Sequence, residues 1–399
     1  MPKPLAKRTK LIEESPTLKV SARAGQMIRE GIDVVNFGVG EPDFDTPVPI
    51  CDAGVKAIRT GKTRYTPVPG IPDLRAAIAK KLKEDNGLDY EPANVVVSCG
   101  AKHSLFNVIL SIVEEGDEVI IPAPYWVSYP DMVKYALGKP VHVDGPKSKG
   151  FLISAKDLKA AITPKTKAII LNSPSNPTGG IYNKEQMGQL AEVIAKAGIW
   201  CISDEIYEKL LYDGAKHVSI ASFPGMKDIT VTVNGHSKAF AMTGWRIGYI
   251  ASTSKELVKA VSNLQSQSTS NPATPCQYAA LTALTDPTIP PMVEIMRQEF
   301  EKRRDLIVKL LNAIPGVDCP KPGGAFYVFP DVSAHYGKKI AGVDVKDSMG
   351  FAEVALEKGH IAIVPGGSFG NDKCVRFSYA CSMQTIEKGV KRLADLLKG

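Results

Sequence analysis

The chain reads as an α/β fold: a large domain with a mainly parallel central sheet between helices, plus a smaller α+β domain. Three observations predict this. Short β-branched and aliphatic runs alternate with helical periodicity through the middle of the chain. Those runs are apolar at consecutive positions, as strands covered on both faces require. After Asp286-Pro287-Thr288-Ile289-Pro290-Pro291 the alternation stops and a long, charged helical stretch begins. A length of 399 residues also exceeds one ordinary core and suits two packed domains. The expected division puts the large domain at 48–290 and builds the small one from 1–47 and 291–399.

The expected strands of the large domain are 94–97, 118–121, 168–171, 200–202, 229–233 and 247–250. Between them, 102–113 and 184–196 repeat apolar side chains every three or four positions, as in Leu105, Val108, Ile109, Ile112 and in Met187, Leu190, Ile194. Beyond the break, a helix from 292 to about 311 precedes short strands at 326–329, 361–364 and 375–379. Helices near 348–358 and after 384 complete this part.

Composition excludes several classes. Hydrophobic residues at 44% and charged residues at 23% fit a soluble globular protein rather than a disordered one. The net charge is +7, but no five like charges run together, so no nucleic-acid tail is expected. The cysteines at 51, 99, 201, 276, 319, 374 and 381 have no metal-ligand spacing, and reduced thiols are expected. The basic start Met1-Pro2-Lys3-Pro4-Leu5-Ala6-Lys7-Arg8 has no apolar signal core behind it, and the longest apolar runs are too short to span a bilayer. A cytoplasmic protein with no membrane or nucleic-acid partner and no metal is expected.

Ligands of an open parallel sheet bind outside the carboxyl ends of its strands, and four segments there carry chemistry. Ser98-Cys99-Gly100-Ala101-Lys102 ends a strand and opens a helix, where free N–H groups and the dipole suit a phosphate; an ordinary tight turn has the same composition. Asn172-Ser173-Pro174-Ser175-Asn176-Pro177-Thr178-Gly179-Gly180 is a turn or a rigid holder for Asn176. In Ser203-Asp204-Glu205-Ile206-Tyr207, Asp204 either caps a helix or meets a cation, and Tyr207 can share its site. Ser237-Lys238 opens a mostly apolar stretch in which desolvation would make an amine nucleophilic, with Arg246 eight positions on; a lone lysine near a strand end is more often a surface residue.

Taken in order, these segments resemble the class I aminotransferases of fold type I, in the bacterial aspartate aminotransferase subgroup. The resemblance runs from about Ser15 to the C-terminus and includes Gly40-Glu41-Pro42-Asp43-Phe44-Asp45-Thr46-Pro47, Pro122-Ala123-Pro124-Tyr125-Trp126-Val127-Ser128-Tyr129-Pro130 and 239–248. It implies pyridoxal 5'-phosphate (PLP) as cofactor, amino acids and 2-oxo acids as substrates, and aspartate:2-oxoglutarate transamination by a ping-pong cycle. Lys238 would join PLP covalently and shuttle the substrate's proton. Asp204 would pair with the ring nitrogen, Tyr207 and Asn176 with the ring oxygen, and Trp126 would stack on the ring. The backbone N–H groups of Gly100, Ala101 and Lys102, with Arg246, would hold the phosphate, Ser237 would also bind the cofactor, and Tyr65 would reach the phosphate across from a second subunit of a homodimer. Arg376 would clamp the substrate's α-carboxylate, with Gly40, Trp126 and Asn176 beside it. Because Arg376 lies in the small domain, substrate would draw the two domains together.

Two positions depart from relatives. Gly235 stands where some aminotransferases have a phosphate-binding serine, and Glu13 where relatives accepting prephenate or dicarboxylates often carry lysine. The alternatives are an aminotransferase for aromatic amino acids, prephenate or alanine, or a PLP-dependent C–S lyase on the same fold. A PLP-binding regulator would need a further DNA-binding domain, and a nicotinamide enzyme a glycine-rich fingerprint after its first strand.

Overall fold

The computed structural model describes residues 3–12 and 16–398, with no side-chain description at 16–18. Glu13 therefore lies outside the described residues. Seven strands form the central sheet: β1 (Val95–Ser98), β2 (Glu118–Ala123), β3 (Lys139–Asp144), β4 (Thr166–Asn172), β5 (Trp200–Asp204), β6 (Thr230–Gly235) and β7 (Gly248–Ala251). Their order is β1-β7-β6-β5-β4-β2-β3. All pairings are parallel except the two made by β7, which runs antiparallel to both β1 and β6.

Alternation within each strand explains why the sheet is buried on both faces. Val95 and Val97 pack with Leu74 and Ile78, while Val96 packs with Leu105 and Ile109 on the other side. Ile169 and Leu171 likewise face Leu190 and Ile194, opposite to Ile170. Each fully buried aliphatic side chain of this kind contributes about 1.5–3 kcal/mol of transfer free energy. The helices Ala101–Ile112 and Lys184–Ala197 lie within a residue of their expected bounds.

The C-terminal third builds smaller sheets. Tyr327–Val328, Val375–Ser378 and Val364–Pro365 pair antiparallel, and Lys338–Ile340 forms a hairpin with Val343–Val345. The N-terminal segment packs here too: Val35–Asn36 runs parallel to Ile361–Ala362, and Arg23 pairs with Glu357 at 2.8 Å. The long helix Ile289–Asn312 starts earlier than expected, because Pro290 and Pro291 occupy its first turn, where a missing N–H costs nothing. Its Phe300 and Ile307 share a core with Phe326, Phe377 and, from beside the central sheet, Tyr207 and Leu210. Among the described residues, no helix is long and apolar enough to cross a membrane.

Candidate active site

The strand ends converge on one cleft. Asn172 at the end of β4 pairs in register with Asp204 at the end of β5. β6 runs out at Gly235 into Ser237 and Lys238. Gly248, opening the antiparallel β7, pairs with both Gly235 and Ser98, so the turn before it returns Arg246 to the same edge. A Cβ on Gly248 would collide with the backbone of Gly100 and Ala101. Glycine there lets the helix Ala101–Ile112 begin directly over the sheet. Gly235 has a similar cause: a Cβ would lie 2.9 Å from the Ile247 carbonyl, which accounts for the absence of a serine.

The cleft has a volume of about 370 Å³, and Asp204, Lys238, Arg246, Arg376, Trp126 and Lys102 are among its walls. Asp204 is 3% exposed. Its carboxylate accepts from the Tyr129 hydroxyl at 2.6 Å and the Ile206 amide at 3.2 Å, and Asn172 Nδ2 donates to its backbone carbonyl at 3.0 Å. Burial pushes the Asp204 carboxyl up to about 6; its two hydrogen bonds and Lys238 resist the shift, and Glu205 adds to it. Such a carboxylate gains most from a cationic ligand.

Lys238 donates to the Gly40 carbonyl. Burial brings its amine down to about 8, with Arg376 and Arg246 pushing the same way against Glu41 and Asp204. A useful fraction of the amine is therefore neutral, and nucleophilic, near neutral pH.

Arg376 is 2% exposed and has a lowered pKa because of burial. One terminal nitrogen donates to Asn176 Oδ1 at 3.0 Å, the other to the Gly38 carbonyl at 2.8 Å, and the guanidinium lies over Tyr327 (4.5 Å) and Phe369 (5.1 Å). Its Nε has no partner among the described residues. The fixed guanidinium itself lines the cleft, and a carboxylate ligand is its natural complement. Tyr207 and Tyr327 join hydroxyls at 2.9 Å, and burial, then Tyr327, keeps the Tyr207 hydroxyl protonated.

The opposite end is cationic. Arg246 donates to the Thr243 carbonyl at 2.9 Å and lies against Gly100, whose missing side chain makes room for it. Lys102 Nζ sits 4.8 Å above the Trp126 ring, its pKa lowered by burial and by Arg246. Gly100's own N–H is engaged by the Ser98 carbonyl at 2.7 Å, so the helix start offers an anion the amides of Ala101 and Lys102 instead. The cleft thus places a nucleophilic amine and a buried carboxylate between two anion-binding ends.

The description "Aminotransferase class I and II" matches residues 32–393. The chain belongs to the class I and II aminotransferases. It is 50% identical over 390 residues to the aspartate aminotransferase of Geobacillus stearothermophilus, covering 98% of each chain. It is 48% identical over 399 residues to the probable aspartate/prephenate aminotransferase of Aquifex aeolicus, covering all of both. The solved aspartate aminotransferase of Thermus thermophilus with maleate superposes with a TM-score of 0.93 at 42% identity, covering 99% of this chain and 100% of that one. The chain is a transaminase of fold type I.

This aminotransferase brings nearly all the residues singled out from its sequence into one cleft: Gly40, Ala101, Lys102, Trp126, Asn176, Asp204, Tyr207, Ser237, Lys238, Arg246 and Arg376 line it. Gly100 lies just behind, and Tyr65 does not line it; that side chain is 89% exposed. Sequence reasoning missed the neighbours that orient these groups: Tyr129, Tyr327, Asn172, and the pair made by Thr243 Oγ1 with Glu41 at 2.8 Å. It also gave Lys102 only a backbone role.

Proposed function

We propose that the chain transfers the amino group of L-aspartate to 2-oxoglutarate by a ping-pong cycle, using PLP. The observation that carries the cofactor is Asp204: a buried carboxylate, fixed by Tyr129 and Ile206, facing a cleft with an anion-binding helix start. The residues present fit PLP. Lys238 would hold it covalently, Asp204 would pair with its ring nitrogen, Tyr207 and Asn176 with its ring oxygen, and Trp126 would cover its face. The amides of Ala101 and Lys102, with Ser237 and Arg246, would take its phosphate. When bound, PLP supplies an electron sink for the carbanion at the substrate's Cα.

The chain's own side chains do the rest. Arg376 binds the α-carboxylate, oriented by Asn176 and the Gly38 carbonyl. The Lys238 amine moves the Cα proton, a task suited to a pKa of about 8. Lys102 supports an acidic substrate side chain: it is a further cation in the cleft, beside Arg376 for the α-carboxylate, Arg246 for the phosphate and Lys238. The names of the Geobacillus relative and the maleate-bound Thermus structure agree with a dicarboxylate. The Aquifex name supports prephenate, another dicarboxylate, as a second oxo acid.

The proposed working unit is a cytoplasmic homodimer, in which Tyr65 of one subunit reaches the phosphate of the other; its exposure in the single chain supports this. The proposed moving bodies are 48–290 against 1–47 with 291–399. Initial rates with aspartate and 2-oxoglutarate test the cycle: parallel double-reciprocal lines, with oxaloacetate formed, are expected. Intersecting lines would contradict the ping-pong cycle, and no oxaloacetate the substrate.

A further inference from the structure

The residue after Asp204 points away from the cleft into a buried ionic chain. Glu205 is 2% exposed and does not line the cleft. One of its oxygens accepts from Ser203 at 2.9 Å and Ser219 at 2.6 Å, and the other meets His217 Nε2 at 2.8 Å. Glu208 pairs with Lys81 and accepts from Asn86 at 2.9 Å. Lys81 lies 3.7 Å from Asp85, which pairs at 2.7 Å with Lys209 at the surface. After the two acids Asp204 and Glu205, charge alternates in sign through His217, Glu208, Lys81 and Asp85 to Lys209.

Two acids side by side at the end of a buried strand disfavour each other's ionisation. We propose that His217 is a positioning residue for transamination: its imidazolium balances Glu205, so that the adjacent Asp204 stays ionised to hold a protonated cofactor nitrogen. This rests on the reading of Asp204 as the partner of the PLP ring. Burial alone would discharge His217, but the charge and hydrogen bond of Glu205, with Glu208, outweigh it and raise its pKa; Lys81 opposes them. Glu294 and Arg297 close the same recess from the helix Ile289–Asn312 but pair with each other at 2.8 Å, and Lys209 is taken by Asp85. Lys216, the remaining charged group there, adjoins His217 in the chain. Glu205, Glu208 and His217 also offer three ligand atoms within 4.8 Å of one another. Serine, asparagine and lysine donors already occupy those carboxylates, so the cluster is balanced without an ion.

His217 discharges as pH rises through its raised pKa; Glu205 is then unbalanced, Asp204 is harder to ionise, and the ring nitrogen passes its proton to the Asp204 carboxylate.

The test uses the enzyme loaded with PLP labelled with ¹⁵N in its ring, and follows the nitrogen chemical shift against pH. His217→Gln should release the ring proton at lower pH, by about half a unit or more, a roughly threefold loss of proton affinity. Glu205→Gln should shift it to higher pH, and the double variant should return towards the wild type. A packing defect would not produce shifts of opposite sign. Identical titrations, or shifts of the same sign, would overturn the proposal. If His217→Gln fails to fold, Glu205→Gln alone decides: no upward shift overturns it. If Asp204→Asn leaves the ring titration unchanged, the assignment of Asp204 itself fails and takes the proposal with it.

Discussion

Tyr129 holds Asp204 in place: its hydroxyl donates a 2.6 Å hydrogen bond to Oδ2, while the Ile206 amide takes Oδ1. Both residues are almost wholly buried, so water cannot replace the bond. A hydrogen bond to a charged group is worth about 1.5–3 kcal/mol. Tyr129→Phe should therefore weaken PLP retention about ten- to a hundredfold, measured by equilibrium dialysis, with the fold intact by circular dichroism. Unchanged retention would make Tyr129 a packing residue only.

The raised pKa of Asp204 is also a stability statement. Its folded value of about 6 lies above the ordinary carboxyl value of 3.8. The folded apo protein therefore binds this proton more tightly than the unfolded chain does, and stability falls as pH rises from about 4 to about 6. Asp204→Asn removes that loss. Apo Asp204→Asn should melt above the apo wild type at pH 7.5, by about 1–3 kcal/mol, yet retain PLP poorly. Scanning calorimetry at pH 4 and 7.5 checks both ends, and the gap should narrow at the lower pH.

Arg376 tests substrate binding separately from cofactor binding. Its planar fork is held by Asn176 and Gly38 and stacked on Tyr327, a geometry that lysine cannot reproduce. Arg376→Lys should raise KM for amino acids about ten- to a hundredfold while leaving PLP affinity within a few-fold. Equal losses of both would assign Arg376 to the structure rather than the substrate.

Lys102 bears on side-chain preference. If its ammonium meets the distal carboxylate, Lys102→Ala should lower kcat/KM for aspartate about tenfold or more relative to alanine, the scale of one charge-assisted hydrogen bond. An unchanged aspartate-to-alanine ratio would return Lys102 to its backbone role.

Legibility from sequence followed the range of the interactions. β4 and β5 were visible because consecutive apolar residues mark a doubly covered strand. β3 was not: among the described residues it pairs only with β2 at the sheet edge, is partly exposed, and mixes Pro140 and His142 with its valines. Lys238, Asp204 and Arg376 stood out by charge in apolar surroundings and by resemblance. Their supports did not, since Tyr129 meets Asp204 across 75 positions and Asn176 meets Arg376 across 200. Gly100 shows the finer limit. Its composition announced an anion-binding turn, but only the backbone reveals that its N–H serves Ser98 and leaves the next two amides free.

The central claim is that this cleft runs a half-reaction on aspartate through Lys238. The most direct measurement is the absorbance spectrum of the PLP-loaded protein before and after L-aspartate is added without an oxo acid, beside Lys238→Ala. The predicted result is conversion of the bound cofactor from its aldehyde-level band to its amine-level band, with oxaloacetate released, and no conversion in a folded Lys238→Ala. A wild-type spectrum that ignores aspartate, or conversion that survives loss of Lys238, would contradict the account.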